Sequence, residues 1–143
     1  MTYIREDEAA ITLTVDGVPY GNGITNNWAT YAGGALTAAG SKTRPGGMGK
    51  QTAQGGLATR GDVTITIQNT DVVVGNHPTL EHRVGKGRAV VHVQYLDKEG
   101  VVVPGAFFQV SGILKEAELP GQNFDAPAVG MYKVVVDCDE VAG

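Results

Sequence analysis

The stretch DVTITIQ, residues 62–68, sets Val63, Ile65 and Ile67 on one side of the chain and Thr64, Thr66 and Gln68 on the other. A two-residue period of this kind marks a strand with one buried face. Working outward, AAITLTV (residues 9–15) alternates in the same way, with Ile11, Leu13 and Val15 together. RAVVHVQYLD (residues 88–97) repeats the pattern with Ala89, Val91, Val93 and Tyr95. Asp16-Gly17 is a type I′ hairpin signal. Val18-Pro19-Tyr20 can then resume only as an edge strand, because Pro19 has no amide hydrogen to give a ladder. Residues 101–103 are expected to extend, break or bulge at Pro104-Gly105, and continue as a long strand over residues 106–119 that Gly112 can interrupt. A loop (residues 120–127) and a last strand (residues 130–137) follow. Residues 76–84 are the best helix candidate, with Asn76 as cap, Pro78 in the first turn and Gly85 just past the end. Residues 69–74 carry no clear period. The expected fold class is mainly β, a sandwich or barrel with one short flanking helix.

The 143 residues suit one domain, 1–143, large enough to bury a core without disulfides or metals. The single cysteine, Cys138, excludes an internal disulfide and a multi-cysteine zinc site, and it is expected to pack in the last strand. The opening MTYIREDEAA has no apolar segment of the secretory kind, and no apolar run approaches the ~20 residues of a membrane span. A soluble, intracellular product is expected. A pI near 5.2 argues against a duplex-DNA binder.

Chemistry is sought with little return. Gly49-Lys50 fails the phosphate-loop pattern, since Arg44 and Gln51 stand where glycine and Ser or Thr are required. His77 and His82 are five apart, about 140° around a helix, so they diverge and lack zincin spacing; solvated helix residues are expected. His92 reads as a packed or interface histidine on a strand. Asp137, Asp139 and Glu140 lack EF-hand spacing and read as a solvated acidic end. Ser41 and Ser111 have no adjacent base. No catalytic residue, metal or cofactor is proposed, and an enzyme is not expected.

The segment before residue 62 is the unusual one. Residues 33–61, GGALTAAGSKTRPGGMGKQTAQGGLATRG, hold eight glycines before Gly61 and show almost no sustained hydrophobic period. Such a segment reads as a very long glycine-rich loop, and loops of that length are usually functional or disordered. Its charge is one-sided: Lys42, Arg44, Lys50 and Arg60 are cationic, with no acid between Asp16 and Asp62. The rest of the chain is strongly acidic. A basic arm on an acidic body is a device for gripping a neighbour, and Trp28 and Tyr31 are expected to anchor its root.

The strand and hairpin of ITLTVDGVP (residues 11–19), Trp28, Gly33-Gly34, SKTRPGGMG (residues 41–49) and GGLATRGDVTITIQ (residues 55–68) stand in an order that resembles the major tail tube proteins of long-tailed, siphovirus-type bacteriophages. The likeness covers about the first half of the chain; the link from Trp28 to Gly33 is shorter than the family pattern. It implies a β-sandwich with a flanking helix, assembled as hexameric rings stacked into a tube. The assembly loop would comprise Lys42, Thr43, Arg44, Pro45, Gly46, Gly47, Met48, Lys50 and Arg60, anchored by Trp28, Tyr31 and Asp62. Implied partners are further copies of the chain, a tape-measure protein, tail initiator and terminator proteins, and double-stranded DNA in passage without sequence-specific binding. The implied location is the virion tail, assembled in the host cytoplasm. A tail terminator, baseplate ring or secretion-tube protein is the alternative within the same fold; a small-ligand binding module is the weaker one outside it.

Overall fold

The computed structural model describes residues 9–23, 27–43, 52–121 and 129–142. It contains nine strands and one helix among these residues: β1 (Ala9–Val15), β2 (Val18–Tyr20), β3 (Thr30–Gly33), β4 (Leu36–Thr43), β5 (Thr52–Arg60), β6 (Val63–Gln68), α1 (Asp71–Arg83), β7 (Arg88–Leu96), β8 (Val102–Glu118) and β9 (Met131–Ala142). Seven strands form one antiparallel sheet in the order β2-β1-β7-β8-β9-β6-β3, while β4 and β5 pair as a separate hairpin. The mainly β class with a single flanking helix is as expected.

The alternating stretches behave as their period requires. Ile11, Leu13 and Val15 of β1, Val63, Ile65 and Ile67 of β6, and Ala89, Val91 and Val93 of β7 are all buried in one core. Asp16 and Gly17 adopt φ of 51° and 82°, the two positive values a type I′ turn demands.

β8 and β9 are long because they serve both halves of the sheet. β8 pairs with β7 over residues 107–113 and again at Val102, whereas β9 pairs with β6 only over residues 131–136. The β8–β9 ladder shifts register twice, between Ser111 and Gly112 and between Leu114 and Glu116. Asp139 of β9 and Lys115 of β8 are the extra residues, and such bulges bend a sheet and sharpen its twist. At this corner the sheet turns over its own core. Its far ends are joined through the segment before β3, where Trp28 N–H donates to the Ile11 carbonyl at 2.7 Å and Ala29 N–H to the Thr66 carbonyl at 2.7 Å.

The helix departs from its expected bounds. It begins at Asp71, with Thr70 as N-cap accepting from Val73 N–H, so Asn76 caps nothing and Pro78 lies inside the helix rather than in its first turn. Gly85, φ 81°, does follow the end. Val73 and Leu80, two turns apart, are the buried stripe. His77 is a correction: it is half-buried, not solvated, with Nδ1 at 2.7 Å from the Tyr132 hydroxyl and Nε2 at 2.9 Å from Glu81. This contact pins α1 to β9. The acidic end is also part of β9, where Asp139 takes a bidentate Arg88 guanidinium, both contacts at 2.7 Å. That hydrogen-bonded cation holds the Asp139 carboxyl below its ordinary value.

Candidate assembly interface

Most of the described residues of segment 33–61, expected as a loop, form two strands. β4 and β5 pair antiparallel from Leu36↔Arg60 outward to Thr43↔Thr52, with one register shift between Ala38 and Gly40. At about 3.4 Å per residue, a nine-residue strand carries this arm roughly 30 Å from the body. The alternation test misses it because no buried face sets a period at its base, where Leu36, Thr37 and Ala38 are all exposed. Its strands are mostly small residues, threonines and glycines, and their ladder is held by backbone hydrogen bonds that need no apolar period.

The root of the arm is where the sequence becomes restrictive. Gly33 and Gly34 adopt φ of 92° and 78°, the left-handed region that favours glycine. A Cβ on Gly33 would overlap the Asp62 carbonyl oxygen, and one on Gly34 would sit 2.7 Å from Val63 Cγ2 and 3.1 Å from the Tyr31 hydroxyl. The chain thus leaves β3 through a turn only glycines fit, and the β4–β5 ladder is separate from the sheet that holds β3 and β6. Two backbone bonds span the bend, Gly34 N–H to the Asp62 carbonyl and Gly61 N–H to the Ala35 carbonyl, each 3.0 Å. Two side chains brace it. Arg60 donates to the Gly34 carbonyl at 2.7 Å, and Lys115 donates to the Asp62 carboxylate at 2.6 Å. Lys115 lies 53 residues from Asp62 and no sequence signal pointed to it.

The proposed site residues fall into three places. Arg60 and Asp62 meet at the root, as described. Lys42 and Thr43 lie at the outer end of β4, paired by backbone with Ala53 and Thr52. Arg44, Pro45, Gly46, Gly47, Met48 and Lys50 lie outside the described residues. Trp28 is buried and donates its indole N–H to the Tyr20 carbonyl at 3.0 Å, with its ring 6.3 Å from that of Tyr132. Tyr31 stands edge-on to Phe108 at 5.2 Å.

Burial pushes the Tyr31 phenol up to about 12, with Cys138 and Tyr95 adding to the shift and Arg60 opposing it. The folded value lies above the ordinary 10.0. The neutral phenol therefore contributes stability that is full below pH 10.0 and lost as pH rises through 12. Ultraviolet titration of tyrosinate in the folded protein is expected to show Tyr31 ionising about two units late, alongside a fall in melting temperature over the same window. Ionisation of every tyrosine near the ordinary value would contradict this packing at the root.

Among the described residues no group of three or more His, Cys, Asp or Glu could hold a metal ion, and no helix is long and apolar enough to cross a membrane.

No family model and no curated protein matches the chain. Solved structures do. A chain of the six-fold symmetrised baseplate of the anti-feeding prophage superposes with a TM-score of 0.74 at 11% identity, covering 99% of this chain and 95% of that one. A chain of an extracellular contractile injection system, in its extended sheath–tube complex, gives 0.68 at 10% identity over 98% and 90%. A chain of the tube-terminating cap of the anti-feeding prophage gives 0.69 at 8% identity over 99% and 91%. At such identities the likeness shows the fold, and the fold is tail-tube-like.

Proposed function

We propose that this chain is the structural subunit of a siphovirus-type tail tube, forming hexameric rings that stack through the β4–β5 arm around a bore that conducts DNA during ejection. The observation that carries the reading is the arm itself. Among the described residues it is a two-stranded ladder that pairs with no other strand, and it leaves the body through a glycine turn. An isolated hairpin is marginal in water, so this one needs a surface to lie on. Head-to-tail contacts between copies are heterologous, and such contacts stack rings or build filaments. The partners are then neighbouring copies, a tape-measure protein inside the tube, and initiator and terminator proteins at its ends. The tube belongs to the virion and is assembled in the host cytoplasm.

A second reading, a baseplate ring or tube terminator, is favoured by the baseplate and cap chains among the similar structures. Electron microscopy of concentrated purified protein separates the two: long tubes support the first, closed rings alone the second, and persistent monomers neither.

Charge gives a further expectation. Replacing Lys42, Arg44 and Lys50 together by glutamine should weaken stacking strongly at low salt and little at high salt. Exposed charges act over about 10 Å at 0.1 M ionic strength and only about 3 Å at 1 M. Light scattering against salt concentration checks it. A loss of stacking equal at both extremes would mean the arm holds by shape rather than charge.

A further inference from the structure

Two small apolar surfaces sit at the two ends of β8, and the backbone holds each in place. Before its start, β7 and β8 are joined by a short connection, where Val101 is 57% and Val102 53% exposed. Asp97 Oδ1 accepts from the N–H groups of Glu99 and Val101 at 2.8 and 2.9 Å, and Asp97 N–H donates to the Val101 carbonyl at 2.8 Å. The Gln94 side-chain amide lies 3.1 to 3.2 Å from the carbonyls of Tyr95, Val103 and Ala106. The hairpin end is thus a braced, projecting tip that keeps two valines in water. Past the other end of β8, Leu119 (36% exposed) and Met131 (40%) line a hollow of about 210 Å³ with Glu118, Pro120 and Lys133. Asn69 N–H donates to the Gly130 carbonyl at 2.9 Å beside it. Pro120 packs so closely on Gly130 that a Cβ there would sit 2.7 Å from the proline ring. Fixed, exposed apolar surfaces mark contact sites.

Strand register places the two surfaces on the body. β8 runs from Val102, paired with Leu96 at the tip, to Glu118, paired with Lys133 at the hollow. β6 runs from Val63, paired with Gly33 at the arm root, to Gln68, paired with Met131 at the hollow. Ring contacts join the first ends of the two strands: Tyr31 of β3 lies 5.2 Å from Phe108 of β8, and Phe108 lies 6.2 Å from Tyr95 of β7. Arm root and tip therefore share one end of the body, and the hollow lies at the other. A head-to-tail contact needs two such distinct surfaces on each copy. The two also match in form. The tip projects and the hollow recedes, and each apolar centre has charged neighbours of both signs: Asp97, Lys98 and Glu99 at the tip, Glu118 and Lys133 at the hollow. An apolar centre inside a polar rim is the usual anatomy of an interface.

We infer that the tip formed by Val101 and Val102 of one copy seats in the Leu119–Met131 hollow of the next copy of this chain. The inference rests on the tube reading and gives the arm a second contact beside it, since arm and tip leave the same end toward one neighbour. Seating covers both valines, Leu119 and Met131 at once, which a lone copy cannot do with its two surfaces at its two ends.

The test uses two full-chain variants and the wild type. V101D/V102D spoils the tip and keeps the hollow; L119D/M131D spoils the hollow and keeps the tip. Both are expected to melt like wild type but to need roughly 30-fold more protein before stacks form, since covering each half-exposed apolar side chain contributes about fivefold. At wild-type concentration each variant alone should fail to stack. Mixed, the intact tip of one meets the intact hollow of the other once, giving complexes two layers deep and none deeper in electron microscopy and sedimentation. Stacking of either variant at wild-type concentration, or no association on mixing, overturns the inference while a polymerising wild type leaves the tube reading standing. A wild type that never polymerises ends both. Should the aspartates unfold the chain by circular dichroism, V101S/V102S and L119S/M131S replace them, with at least a tenfold rise expected and wild-type behaviour overturning the claim.

Discussion

Deleting residues 39–53 is expected to abolish tubes entirely while leaving the melting temperature within a few degrees of wild type. The deletion removes the outer part of β4, the start of β5 and the connection between them, and among the described residues these strands pair only with each other. Leu36, Thr37 and Ala38 at the arm's base are all exposed, and the described core is built from Trp28 and from residues of the other elements. The root is untouched: Gly33, Gly34, Arg60 and Asp62 keep their contacts, and Leu36–Arg60 can still close a shorter hairpin. Shortening a surface connection changes loop-closure entropy only slightly. Polymer, by contrast, depends on reach, and a stub cannot span to a neighbour. Thermal melting and electron microscopy of the same preparation check both halves. Collapse of the β fold would make the arm a structural element of the body and contradict its assembly role.

Gly112→Ala is expected to destabilise the fold by about 3 kcal/mol or more, at the upper end of overpacking effects. The added Cβ would overlap the Asp137 carbonyl oxygen and sit 2.7 Å from its carbon and 2.8 Å from Cys138 Cα. All three are backbone atoms of β9, so no side chain can rotate away. The clash falls where Asp139 bulges and the sheet turns its corner, and β9 holds both β8 and β6 there. A loss of this size is a large share of the roughly 5–15 kcal/mol that typically holds a native domain together. Gly75→Ala is the control, a helical site with nothing within 4 Å of the new Cβ. It should stabilise by about 0.5–1 kcal/mol, because alanine is the better helix former. Urea unfolding of the pair settles it: equal stabilities would mean that β8 and β9 do not meet in this register.

The sequence revealed those elements that bury one face against the core. β1, β6 and β7 follow alternation because Leu13, Ile65 and Val91 lie inside while their neighbours meet water. The arm was hidden by the same logic, since Leu36, Thr37 and Ala38 are all exposed and no buried face imposes a period on them. The helix start was hidden because valines and a glycine (residues 72–75) fill its first turns, residues with little intrinsic helix preference. Thr70 followed by Asp71, a cap and a first-turn acid, was the signal that stood there. β8 was divided at Pro104-Gly105, where the β7–β8 register shifts, and β9 was read only as far as Asp137, just before its bulge at Asp139. For the site, the glycine pair, Arg60 and Asp62 are adjacent to the arm in sequence and were within reach of sequence reasoning. Lys115 is brought into play only by the strand order.

The most direct measurement is amide hydrogen exchange across the arm, compared between dilute monomer and assembled protein. The amides of β4 and β5 should exchange quickly in the monomer and become strongly protected on assembly, while those of β6 and β9 stay protected in both. Equal protection of β4 and β5 in the two states would show an arm complete without a neighbour, and would contradict its role as the connector between copies.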